Sequence, residues 1–85
     1  MKTFSYTVKD EIGLHARPAG KLSDKAKEFK SEIVVKKGSK EVNVRRLMML
    51  MSLGIKNADT VEVTVSGEDE DEAYEAMKAF FEENL

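Results

Sequence analysis

The sequence predicts an α+β fold: a four-stranded antiparallel sheet covered on one face by three helices, in the order βαββαβα. Three patterns predict it. Lys2–Val8 and Thr60–Ser66 alternate apolar and polar side chains, the period of a half-buried strand. The turn-forming segment Lys37-Gly38-Ser39-Lys40 separates two further short β-prone runs. Apolar residues at steps of three and four, after Pro18 and again after Glu72, mark amphipathic helices.

In the first strand Phe4, Tyr6 and Val8 share one face, with Thr3, Ser5 and Thr7 opposite. After the turn at Glu11–Gly13, Ala19, Leu22, Ala26 and Phe29 form the apolar stripe of the first helix. Lys21, Lys25, Lys27 and Glu28 lie on its wet side. Ile33–Val35 and Val42–Val44 flank the hairpin turn as short strands. Leu47–Leu53 is a compact apolar run ended by Gly54, a natural C′ residue for a short helix. The last strand buries Val61, Val63 and Val65. Ser66-Gly67 then opens a helix whose first turn, Glu68 to Glu72, complements the positive helix end. Its core face is Ala73, Met77 and Phe80 or Phe81. Strands with one apolar face each need cover on one side only, so the other face of the sheet is solvated.

Length and composition narrow the possibilities further. Residues 1–85 are expected to form a single domain, with no linker, repeat or low-complexity segment. The balance of 41% hydrophobic and 35% charged residues is that of a globular chain. A net charge of −2 gives no reason to expect nucleic acid. The cations Lys36, Lys37, Lys40, Arg45, Arg46 and Lys56 lack the interleaved aromatics of an RNA surface. With no cysteine there are no disulfides or thiolate sites, and one histidine cannot assemble the usual metal ligand set. No metal and no cofactor are expected, since a glycine-rich nucleotide loop is also missing. No stretch reads as a signal peptide or a bilayer span, so a cytoplasmic location without membrane insertion is expected.

The segment GLHARPAG, residues 13–20, holds the only histidine and the only proline. Proline is tolerated in the first turn of a helix, so Pro18 places a helix start near Ala16 and His15 at or beside the N-cap. There the unpaired N–H groups of the next residues form an anion site, suited above all to phosphate. Arg17 adds a guanidinium able to grip phosphate oxygens. A positive helix end is a poor place for an imidazolium and a good one for a phosphoryl dianion. No second histidine and no carboxylate pair accompanies the site. It is equipped to accept and release a phosphoryl group, not to run a reaction alone.

GLHARPA, followed by MSLGI at residues 51–55 and the βαββαβα order, resembles the HPr family, the histidine-containing phosphocarriers of the bacterial phosphotransferase system. The resemblance covers essentially the whole chain. It implies an open-faced sandwich fold, phosphorylation of His15 on Nδ1 by phospho-enzyme I, and onward transfer to the IIA domains of sugar permeases. Arg17 matches the family's phosphate-site arginine, and the backbone at Ala16 and Arg17 its phosphate-binding N–H groups. The protein would be a relay rather than an enzyme, and a monomer.

A second constellation, RRLMMLMSLG at residues 45–54, packs five apolar residues into a helix of about two turns. Leu50 and Leu53 are assigned to the core. Leu47, Met48 and Met51 are expected to form an apolar patch, the kind of surface that receives protein partners. The resemblance implies docking through this helix and the first, with Ala16, Gly20, Lys21, Asp24 and Lys27 at the rim. Arg46 stands where many family members of low-GC Gram-positive bacteria carry a regulatory serine, so the kinase-controlled switch is expected to be absent. Met49 replaces a residue commonly small in the family. Arg45 and Arg46 are unfavourable if they lie in a helix first turn; a solvated charge pair is the simplest reading of them, and an acidic partner surface the alternative. Two other functions fit the residues: a nitrogen-branch or regulatory phosphocarrier, and a pure interaction module built on the Leu47/Met48/Met51 patch.

Overall fold

The computed structural model describes residues 1–85. The elements follow in the predicted order: β1 (Lys2–Thr7), α1 (Ala16–Ala26), β2 (Glu32–Lys37), β3 (Lys40–Asn43), α2 (Leu47–Ser52), β4 (Thr60–Ser66) and α3 (Glu70–Asn84). The sheet order is β1-β4-β2-β3, and every neighbouring pair is antiparallel. No helix is long and apolar enough to cross a membrane.

Alternation in the sequence sets the register. β4 lies between β1 and β2, so Val63 faces Phe4 on one side and Val35 on the other. A one-residue slip would turn every one of these side chains into water, which is what holds the pairing. The inner residues join those of α1, α2 and α3 in one cluster of 19 buried apolar residues, so a single core serves all seven elements. Phe81 anchors it, packing edge-on against Phe4 and Tyr6 at centroid distances of 5.8 and 5.6 Å. Truncating so large a buried ring costs about 3–5 kcal/mol. The opposite sheet face is polar, with hydroxyl pairs Thr3–Thr64 and Thr7–Thr60 across the β1–β4 ladder.

Several boundaries differ from the sequence reading. β2 runs on to Lys37 and β3 starts at Lys40, which shortens the hairpin turn and leaves Val44 one residue beyond β3, and α2 ends at Ser52 rather than Leu53. Val8 lies one residue beyond β1, although it is buried and its N–H donates to the Asp59 carbonyl at 2.9 Å. α1 stops at Ala26, so Phe29 belongs to the following turn rather than to the helical stripe. There the Glu28 and Phe29 N–H groups reach back only three residues, to Lys25 and Ala26, tightening the chain out of the α-helix. Phe29 still packs against the core.

α3 begins at Glu70, two residues later than expected, because Asp69 is engaged elsewhere. Its carboxylate caps nothing in its own helix. It accepts the Lys30 N–H at 2.9 Å, the Ser31 N–H at 2.9 Å and the Ser31 hydroxyl at 2.5 Å. The start of α3 is thereby fastened to the segment after α1. Gly67 permits the close approach: at its φ of +148° a Cβ would lie 2.7 Å from the Ser31 Cα.

Candidate functional site

His15 is the N-cap of α1, with extended backbone and an imidazole that makes no capping hydrogen bond. The first turn leaves few donors. Pro18 has no N–H, and the Ala19 N–H donates to the His15 carbonyl at 2.9 Å. The N–H groups of Ala16 and Arg17 are taken up by no helical bond, because their i−4 positions lie outside the helix. They remain available at the end of α1 beside the ring.

Two loops fix where that ring stands. Leu14 is buried, and its N–H donates to the Ile55 carbonyl at 3.0 Å. Gly13 passes so close that a Cβ would lie 2.5 Å from the Ile55 oxygen, and its φ of +82° also favours glycine. The Asp10 carboxylate accepts the Ile12 and Gly13 N–H groups at 3.1 and 3.0 Å. Asn57 donates from Nδ2 to the Lys9 and Asp10 carbonyls at 3.2 Å each. Sequence reasoning missed both supports. Asp three residues before Gly13 was a usable turn signal. Nothing local marks Asn57, which acts across the fold.

His15 lines a cleft of about 220 Å³ with Arg17, Pro18, Lys21 and Asn84. Arg17 is exposed and forms no ion pair, and none of the lining residues is acidic. Asn84 enters from the far end of the chain, where its Nδ2 donates to the Phe80 carbonyl at 3.0 Å.

The second surface is α2. Leu50 and Leu53 are buried as expected, while Met48 is 80% exposed and Leu47 and Met51 are more than one-third exposed. Met49, 52% exposed, extends the same patch. Of the five rim residues on α1 and its C-cap, Ala16, Lys21, Asp24 and Lys27 are exposed and Gly20 half-buried; Asp24 and Lys27 pair at 3.8 Å.

The two arginines before α2 part company. Arg46 is the N-cap, with no side-chain capping bond. Arg45 is exposed, as a solvated pair requires, but its guanidinium is also tied to the backbone. Its Nη2 donates to the carbonyls of Ala26 at 3.4 Å, Phe29, and Ser31 at 3.5 Å. A cation there meets the negative end of α1 rather than the positive end of α2, which removes the electrostatic objection to it. Lys37 is also engaged, with the Gly54 carbonyl at 2.7 Å and Asp59 at 2.9 Å.

An open-faced α+β sandwich with one free imidazole at a helix N-terminus defines a small phosphocarrier. The family model described as "PTS HPr component phosphorylation site" matches residues 2–83. The phosphocarrier protein HPr of Mycoplasma genitalium is 44% identical over 85 residues, covering 99% of this chain and 97% of the relative. The crystal structure of HPr-C-His from Thermoanaerobacter tengcongensis superposes with a TM-score of 0.91 at 39% identity, covering 96% of this chain and 92% of that one. Bacillus subtilis Crh, described as a swapped dimer, gives a TM-score of 0.78 at 36% identity, over 94% and 92% of the two chains. The chain therefore belongs to the HPr family of phosphotransferase-system phosphocarriers.

Proposed function

We propose that this phosphocarrier takes its phosphoryl group on Nδ1 of His15 from phospho-enzyme I and passes it to the IIA domains of sugar permeases. The observation that carries the reading is the free His15 ring at the N-cap, beside two unused N–H groups. In the forward step the Nδ1 lone pair forms the N–P bond while the donor's bond to phosphorus breaks; the ring proton stays on Nε2. The Ala16 and Arg17 N–H groups and the Arg17 guanidinium stabilise the equatorial oxygens, where charge resides through transfer. Release to an acceptor is the same displacement in reverse. All of these groups come from one helix start, so a single chain is a sufficient unit of transfer. In this reading the protein is transiently modified rather than turning over a substrate of its own.

Incubation with enzyme I and phosphoenolpyruvate is expected to give acid-labile, alkali-stable phosphate on His15, with none on a His15→Ala variant. Equal labelling of that variant would refute the assignment. Onward transfer to a sugar-type IIA domain in preference to a nitrogen-type acceptor completes the test.

A further inference from the structure

We infer that Lys21 is a second cationic ligand of the phosphoryl group, forming with Arg17 a two-cation clamp across the cleft beside His15. The inference rests on the phosphocarrier reading above and assigns Lys21 to the phosphate rather than to the docking rim alone.

Lys21 lines the same cleft as His15 and Arg17. It stands four residues after Arg17 in α1, on the same helix face and about 6 Å further along the axis. Side chains on a helix lean toward its N-terminus, so Lys21 projects back over the turn that carries Arg17 and His15.

Charge pairing separates these two cations from their neighbours. Lys25 and Lys27 have carboxylate partners one turn away, Glu28 at 3.6 Å and Asp24 at 3.8 Å. Arg17 and Lys21 take part in none of the ion pairs of the fold. Like charges at i and i+4 are mildly destabilising unless an anion lies between them. The cleft supplies no such anion, and its remaining polar wall, Asn84, is neutral. A phosphoryl dianion on His15 places the missing charge there. Lys21 then favours the phosphorylated form and the dianionic state of the phosphoryl group.

The test is a ³¹P NMR pH titration of the phosphorylated protein, loaded with enzyme I and phosphoenolpyruvate. For a ligating cation, about 4 Å away, removing the unit charge in water shifts a neighbouring titration by about 0.7 pH unit. Lys21→Gln is therefore expected to raise the second ionisation midpoint of the phosphoryl group by about that amount, and Lys21→Arg to restore the wild-type midpoint. An unchanged midpoint in Lys21→Gln would overturn the inference while leaving His15 phosphorylation intact, and any loss of enzyme I affinity would then mark a docking contact only. If the wild-type protein takes no phosphoryl group, the phosphocarrier reading fails and the clamp with it.

Discussion

Ala58 is the only non-glycine residue in the left-handed region, at φ +72°. Its N–H donates to the Val8 carbonyl at 2.8 Å, and the neighbouring Asp59 carboxylate accepts the Lys56 N–H at 2.8 Å. Tertiary bonds thus hold a conformation that an L-residue disfavours, in the loop that supports the chain before His15. Ala58→Gly relieves that strain but loosens the unfolded chain, for a net gain of about 0.5–1 kcal/mol. Urea unfolding checks it, and a loss of stability would show that Ala58 is not strained. Arg17 belongs to the same scale. Exposed and unpaired in the fold, it can be removed without unfolding the protein. One charged phosphate contact is worth roughly 1.5–3 kcal/mol, so Arg17→Ala should slow transfer from enzyme I by about tenfold to a hundredfold. Wild-type transfer rates in this variant would assign phosphate stabilisation to the N–H groups alone.

At the scale of elements, α2 behaves as two helices in one. Leu50 is sealed into the core, while Leu47, Met48, Met49 and Met51 face water. Six residues cannot hide every side, and burial in a complex would recover the hydrophobic cost of this exposure. Met48→Glu should therefore leave thermal stability within about 0.5 kcal/mol, as for other exposed sites. Enzyme I binding should weaken, because the new carboxylate must be desolvated at a cost of roughly a few kcal/mol if unpaired. Melting of the free protein and titration against enzyme I check the two halves. Unchanged affinity would remove α2 from the interface and leave recognition to α1. The same element shows why position matters more than charge type. Arg45 and Arg46 are adjacent, yet one binds carbonyls at the end of α1 while the other caps α2 without a side-chain bond.

Across the whole molecule, two carboxylates join segments distant in sequence. Asp59 is held below the usual carboxylate range by its hydrogen bond from Lys37, then by the Lys56 N–H. Asp69 is held low by the Ser31 hydroxyl, then by the Lys30 N–H. The first ties β2 to the loop before β4; the second ties the start of α3 to the segment after α1. Each has a folded pKa below its unfolded one. Its stabilisation is therefore complete above the unfolded value, near 4, and is lost as pH falls through the folded value. Urea unfolding between pH 7 and pH 3 should show Asp69→Asn well below wild type at neutral pH and converging with it in acid. A gap that stays constant with pH would mean that ionisation of Asp69 contributes nothing.

What the sequence determined by itself was local. Period-two alternation gave β1 and β4 their inner faces, the 3–4 spacing gave α1 its stripe, and Pro18 placed His15 at a helix start. These signals arise within a few residues of one another, so a linear reading captures them. Tertiary structure alone decided the rest. Asn57, Asn84 and Asp69 come to the His15 loop, the cleft and the Ser31 segment from positions that no spacing rule links. α1 ends at Ala26 rather than Phe29, and Arg45 finds its carbonyls there, because the next segment turns back beneath it. A side chain's propensity acts on its own turn of chain, whereas a hydrogen bond or a buried contact depends on where the remainder of the chain has come to lie.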